Sequence, residues 1–151
     1  MSSLLIQGCS FRKKSSEKQL PAIELYDGYF FRILKKAKRE HKLDSEIDVL
    51  ILSAKHGIIE PETRIAPYNK RMNTDRAEEI RDKVIRDITS KLDDKNYNEI
   101  IFNLGKDYLP AVKDIEDKIG RETDLKFIKG SGIGEKGSKL KKKVSKPHLK
   151  V

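Results

Sequence analysis

The run "IDVLILSAKHG", residues 47–57, decides the fold class of this chain. Residues 47–53 form a near-continuous apolar stretch rich in β-branched side chains, which is typical of a strand buried on both faces of a parallel sheet. The run then turns polar, with Ser53, Lys55 and His56 ahead of Gly57. The sequence therefore predicts a buried parallel strand that ends in a polar turn.

Strand-like and helix-like segments alternate on both sides of this run. Further apolar runs predict strands at residues 3–9, 98–105 and 124–130. Apolar residues at three- and four-residue spacings predict helices at residues 21–42, with a possible break at Gly28, and at 74–92 and 107–119. This alternation predicts a parallel sheet covered by helices on both faces. We therefore expect an α/β fold, a small three-layer Rossmann-like domain with about four parallel strands.

The composition limits the classes of protein to which the chain can belong. Its 151 residues suit one domain, and the single cysteine, Cys9, excludes an internal disulfide and a multi-cysteine zinc site. No apolar run approaches the ~20 residues of a membrane span, and basic residues follow the first apolar stretch, unlike in a signal peptide. We therefore expect a cytoplasmic protein without a membrane partner. Charged residues make up 38% of the chain, which also favours a thermophilic source.

Most of the net charge of +9 belongs to the end of the chain. Residues 129–151 contain eight lysines and one glutamate, whereas the remainder is nearly balanced. We expect a single α/β domain at residues 1–134 and a basic tail at residues 135–151 with no residue in the core. The tail is either a solvated end or an arm that binds the phosphates of DNA or RNA. The lysines assigned to that contact are Lys136, Lys139, Lys141, Lys142, Lys143 and Lys146.

Small, polar or cationic residues follow all four predicted strands. In an open parallel sheet, ligands bind outside the carboxyl ends of the strands, so these residues favour a pocket at one edge of the sheet. The alternative is that they form ordinary solvated turns. The residues predicted to bind a nucleotide-like ligand there are Ser10, Lys13, Ser53, Lys55, Gly57, Tyr68, Asn69 and Gly105.

Cys9 is the candidate nucleophile, because it ends the first strand ahead of Arg12, Lys13 and Lys14. Cationic neighbours favour the reactive thiolate. The alternative is an inert core residue, the usual role of a lone cysteine. The candidate acid/base groups are Glu24, Asp27 and His56.

Neither a metal nor a cofactor is expected. His56 has no companion ligands at a recognisable spacing. Residues 132–137, "GIGEKG", match the pattern G-x-G-x-x-G, but they precede only the end of the chain instead of opening a βαβ unit. The match therefore does not indicate a dinucleotide site.

Several segments together resemble a little-characterised α/β family. They are "CSFRKK" (9–14), "PAIELYDGYFF" (21–31), "ILSAKHGIIEPETRIAPYNKRM" (51–72) and "GSGIGEKGSKLKK" (130–142). That family is distantly similar to the YaaA-type peroxide-stress proteins and to the core domain of archaeosine synthase. The shared pattern would comprise Cys9, Ser10, Lys13, Ser53, Gly57, Pro61, Pro67, Tyr68 and Met72. The resemblance implies an association with nucleic acid.

Two functions follow from these observations. The first is an enzyme that acts on a nucleobase, nucleoside or nucleic acid in the strand-end pocket, through base modification or glycosyl-type chemistry. The second is a non-enzymatic DNA- or RNA-binding protein of the peroxide-stress type. The sequence does not name the reaction, the base or the oligomeric state.

Overall fold

The computed structural model describes residues 2–10 and 13–146. Within these residues the strands are β1 (Ser3–Gly8), β2 (Leu20–Pro21), β3 (Ile47–Ser53), β4 (Gly57–Ile59), β5 (Arg64–Ile65), β6 (Glu99–Asn103) and β7 (Asp124–Phe127). The helices are α1 (Ala22–Leu25), α2 (Tyr29–Arg39), α3 (Thr74–Asp94) and α4 (Ile133–Val144), with 3-10 segments at Lys106–Val112 and Ile115–Lys118. None of these helices is long and apolar enough to cross a membrane.

The main sheet has the strand order β4-β3-β1-β6-β7. The four strands β3, β1, β6 and β7 run parallel, which confirms the predicted α/β fold. The sequence did not indicate β4, an antiparallel edge strand joined to β3 by a tight turn. Gly57 begins β4 with a φ of 74°, a backbone conformation that other residues rarely adopt. Strands β2 and β5 pair separately.

The sheet is covered on both faces, as a three-layer domain requires. Alternate residues of β1 point to opposite sides, because side chains alternate along a strand. Leu4 and Ile6 pack with α3 and the 3-10 segments, whereas Leu5 packs with α2 and α4. A third apolar cluster joins α1 to Ile51 of β3.

Two predicted helices differ from the structure. The helix expected over residues 21–42 is divided into α1 and α2, because the chain is extended at Tyr26 and Gly28. The helix expected over 107–119 is two 3-10 segments. Pro110 lies inside the first, where it lacks an N–H to donate, and Asp114 has a φ of 63°, which separates the two segments.

The end of the chain was also misread. We expected no core residue beyond 134, but Leu140 and Val144 of α4 are fully buried against Leu5, Leu34 and Ile101. These two residues are four apart, so they share one face of a helix and the lysines take the others. The prediction of a tail without core residues is therefore wrong for residues 135–144. Residues 147–151 lie outside the described part of the chain.

Candidate functional site

The register of β1 and β3 places Cys9 beside Ser53. Gly8 pairs with Leu52, so the next residue of each strand emerges at the same edge of the sheet. The Cys9 N–H donates to the Leu52 carbonyl at 2.9 Å, and the Ala54 N–H donates to Cys9 Sγ at 3.3 Å. The structure therefore brings together two residues that the sequence could place only at separate strand ends.

Three hydroxyl groups meet next to Cys9. The Tyr26 hydroxyl donates to Ser53 Oγ at 3.0 Å, Ser53 Oγ lies 3.0 Å from the Tyr68 hydroxyl, and the two tyrosine oxygens are 2.7 Å apart. Ser53 Oγ also accepts the N–H groups of Lys55 and His56. Each hydroxyl has one proton, so donation runs in a ring from Tyr26 to Ser53 to Tyr68 and back. All three protons are used within the ring.

Tyr108 completes the group from the other side of β1. Its hydroxyl donates to the Cys9 carbonyl at 2.6 Å and lies 3.3 Å from Cys9 Sγ. Because the phenol proton goes to the carbonyl, the thiol is the donor in the second contact. A Cβ at Gly8 would come within 3.2 Å of the Tyr108 ring, so glycine permits this close approach. We call Cys9, Tyr26, Ser53, Tyr68 and Tyr108 the carboxyl-edge cluster.

The cluster lies where the chain reverses direction across the sheet. The chain leaving β1 leads to α2 on one face of the sheet, and the chain leaving β6 leads to the 3-10 segments on the other. In open α/β sheets, ligands bind at such a reversal. Tyr108, from the first 3-10 segment, extends across the carboxyl end of β1.

Two ammonium groups lie over the cluster. Lys13 Nζ is 4.2 Å from the centre of the Tyr68 ring and 5.8 Å from that of Tyr26, and Lys55 Nζ is 5.7 Å from the Tyr68 ring. Both fall within the range of a cation–π interaction. Burial lowers the pKa of Lys13, and the charge of an ionised Cys9 opposes that shift. The site therefore concentrates positive charge beside a thiol.

The ionisation of the neighbouring side chains follows from burial. Burial lowers the pKa of His56, and the ammonium groups of Lys55 and Lys83 lower it further, so the imidazole is neutral at pH 7. Burial raises the pKa of Tyr68 to about 12, and an ionised Cys9 adds to the rise. His56 contacts Tyr68 edge-on, with ring centres 5.6 Å apart. The site thus offers a neutral base and protonated phenols.

Sequence reasoning missed three contributors to this site. Tyr26 lies in the segment predicted as a helix over residues 21–42; it is fully buried, and its hydroxyl belongs to the cluster. Tyr108 was placed in a helix without a role. Arg76 of α3 fixes the polar turn, because its guanidinium donates to the carbonyls of Ala54 and Lys55 at 2.7 and 3.0 Å. Tyr108 follows the predicted strand at residues 98–105 by three positions, and this position is the sequence signal that could have placed it at the site.

The predicted carboxylates lie elsewhere. Glu24 and Asp27 line a cleft of about 830 Å³ whose other residues are basic: Lys14, Arg32, Lys35, Lys36, Lys38, Arg39 and His41. Arg32 and Lys35 pair with Asp27 at 3.3 and 3.5 Å, and the Arg32 hydrogen bond lowers the pKa of that carboxyl. Asp27 is therefore an ionised partner of cations.

The remaining predicted residues take various positions. Ser10 Oγ accepts the N–H of Gly28 at 3.2 Å, and the Gly105 carbonyl accepts the N–H of Tyr108 at 2.9 Å. Asn69 is exposed. Arg12 lies outside the described residues. The assigned lysines are on α4 or just beyond it: Lys136, Lys139, Lys141, Lys142, Lys143 and Lys146.

The described residues contain no group of three His, Cys, Asp or Glu side chains that could hold a metal ion. The geometry therefore gives no support for a metal centre within residues 2–10 and 13–146.

Comparison with known proteins assigns the chain to a family. Residues 4–142 match DUF6884, a family of unknown function. The chain belongs to this family. That assignment confirms the expected membership of an uncharacterised α/β family, and DUF6884 itself carries no assigned activity.

One solved structure resembles this DUF6884 member, the crystal structure of AF0587, a protein of unknown function. The TM-score is 0.53 at 14% identity, and the alignment covers 98% of this chain and 46% of that one. This chain thus spans less than half of the other, and the likeness concerns the fold alone. The comparison with curated proteins gives no match.

Proposed function

We propose that this chain is an enzyme that acts on a nucleobase, a nucleoside or a nucleic acid, through base modification or glycosyl-type chemistry at the carboxyl-edge cluster. One observation carries the proposal. A thiol, hydrogen-bonded hydroxyls and two ammonium groups meet at the carboxyl ends of β1 and β3, the edge at which open α/β sheets bind ligands.

The proposed roles follow from the chemistry of each group. Cys9 is partly exposed and acts as the nucleophile. Lys55 is exposed and makes no ion pair in the described part of the chain, so it and Lys13 are suited to bind a phosphate. His56 is neutral and acts as the general base. Tyr68 lies between these groups and positions them.

The substrate class rests on the resemblance to YaaA-type peroxide-stress proteins and to the core of archaeosine synthase. The residues of that shared pattern include Cys9, Ser53 and Tyr68, which are three members of the cluster. Since a nucleotide combines a base with phosphate, it would use both the polar cluster and the ammonium groups. A single cysteine and a composition rich in charged residues support our proposal of a cytoplasmic protein from a thermophilic source.

A second candidate function is a non-enzymatic DNA- or RNA-binding protein. The ring of hydroxyls favours it, because the protons of Tyr26, Ser53 and Tyr68 are all used within the cluster. A saturated network of this kind stabilises structure without offering a free donor to a substrate. In that case Cys9 would be dispensable and the ammonium groups would remain necessary.

The test is conversion of a nucleoside in the presence of the purified protein. Bulk tRNA, DNA and a nucleoside panel would be incubated with wild type, Cys9→Ala and the control Ser138→Ala, an exposed position on α4. We expect a mass change in one nucleoside with wild type and Ser138→Ala only. Unchanged nucleosides in every pool, or equal conversion by Cys9→Ala, would refute the proposal.

A further inference from the structure

A groove rich in lysine runs between the edge strand β7 and helix α4. Its volume is about 370 Å³. Five lysines line it, Lys126, Lys129, Lys139, Lys142 and Lys143, together with Phe127 and two isoleucines. No carboxylate lies among these described lining residues. The groove is therefore positively charged and has an apolar floor.

Three of these lysines make no ion pair within the part of the chain that the structure describes. Lys126 pairs with Glu99 at 3.2 Å, and Lys139 pairs with Glu135 at 3.5 Å. Lys129, Lys142 and Lys143 make no ion pair within residues 2–10 and 13–146. Their positive charge is available to an anionic partner, and it comes from two elements that face one groove.

Phe127 adds an aromatic surface to this charge. Its ring stacks on the buried ring of Phe102, with centres 4.6 Å apart and an angle of 14° between the planes. Phe102 covers one face of this ring, and Phe127 is 39% exposed. Phe127 also lines a cleft of about 780 Å³ at the carboxyl ends of β6 and β7, beside the exposed Leu109. The Phe127 ring lies with Phe102 on the α3 side of the sheet, whereas α4 covers the other side, so the groove and the cleft meet at the edge strand β7, where Lys129 lines both.

We propose that single-stranded nucleic acid crosses the edge strand β7 here, with a base stacked on Phe127 in the cleft on one side and the phosphates on Lys129, Lys142 and Lys143 in the groove on the other. Aromatic rings with flanking cations are the usual platform for single strands. A duplex keeps its bases stacked on each other and cannot offer one to Phe127. The inference is independent of the chemistry proposed for Cys9, which follows β1, two strands away from β7 in the sheet.

The test is fluorescence anisotropy with labelled 12-nucleotide DNA and RNA probes over a range of salt concentrations. The variant Lys129→Gln/Lys142→Gln/Lys143→Gln should weaken binding, and its slope of log K against log salt should shrink by about 2, at roughly 0.7 per phosphate contact. A matched control is Lys18→Gln/Lys38→Gln/Lys118→Gln, which removes equal charge at exposed sites without ion pairs in the described chain. The control should keep the wild-type slope.

Phe127→Leu separates stacking from charge, because leucine keeps apolar contact with Phe102 and removes the aromatic ring. Loss of one stacked base should weaken binding about five- to 150-fold with an unchanged salt slope. Equal affinity for duplex and single strand, tighter binding to phosphatidylserine vesicles, or a triple variant that behaves as the control would each overturn the inference. The anisotropy measurement requires no conversion of a nucleoside. A failure of catalysis is thus distinguishable from a failure of binding.

Discussion

Ser53→Ala is the most direct perturbation of the carboxyl-edge cluster. Ser53 is fully buried, and its Oγ accepts protons from Tyr26, Lys55 and His56. Without it, Tyr26 still has the Tyr68 oxygen at 2.7 Å. The N–H groups of Lys55 and His56 keep no acceptor in the turn. Leaving such donors unsatisfied costs about 1–3 kcal/mol, so we expect a loss of about that size in the free energy of unfolding.

Urea denaturation measures this loss. With a slope of about 1–3 kcal/mol per molar urea, the midpoint should fall by on the order of 1 M. Ser138→Ala removes the same hydroxyl from an exposed site and should change the free energy by no more than about 0.5 kcal/mol. If the Ser53→Ala midpoint matches that of the control, the hydroxyl ring does not hold the turn and our account of the site is incorrect.

Three further predictions concern other parts of the molecule. Leu140→Ala should lower the free energy of unfolding by about 2–5 kcal/mol, measured by urea denaturation, because the leucine is fully buried. The control Lys141→Ala, at an exposed position, should leave it unchanged. Equal urea midpoints for the two variants would mean that α4 is not docked. Iodoacetamide should label Cys9 in the native protein, since the thiol is partly exposed; labelling only in denaturant would contradict this. The pKa of His56 is lowered on folding, so the unfolded chain takes up its proton first, and stability should fall as the pH drops below about 6.5. His56→Gln should flatten this decline between pH 6.5 and 5, and an identical profile would exclude His56 as its source.

The sequence alone predicted the parallel strands of the sheet and some of the residues that form the carboxyl-edge cluster. Continuous apolar runs identify β1, β3 and β6, and the rule that ligands bind at carboxyl ends correctly grouped Cys9 with Ser53. It was not sufficient for Tyr26 and Tyr108. A buried tyrosine has the same apolar pattern whether or not its hydroxyl has a partner, and only the register of neighbouring strands shows where that hydroxyl points.

Helix α4 shows a different limit of sequence reasoning. A segment with many lysines resembles a disordered tail by composition, since few apolar residues are available for burial. Here two residues, Leu140 and Val144, are enough because the spacing of four places them on one helical face against α2. The backbone also ties the segment down, with the Asp44 N–H donating to the Val144 carbonyl at 2.7 Å. The four-residue spacing of the apolar side chains, and not the number of lysines, therefore indicates whether this segment is buried.

The docked helix changes what the basic end of the chain can do. A flexible arm would present its lysines in any direction and give affinity without orientation. On α4, Lys142 and Lys143 have fixed positions and line one groove with Lys129, and the Phe127 ring lies on the other face of the edge strand β7. The carboxyl edge of the sheet therefore carries two different surfaces. A thiol and hydroxyls lie at the ends of β1 and β3, and an aromatic ring with lysines lies near the ends of β6 and β7. Adjacent strands are about 4.8 Å apart, so roughly 10 Å separates β1 from β7 across the sheet. Phe127 is level with Ile6 in the strand register, three residues before Cys9, so a nucleic-acid strand held on Phe127 would have to run along the carboxyl edge of the sheet to reach Cys9.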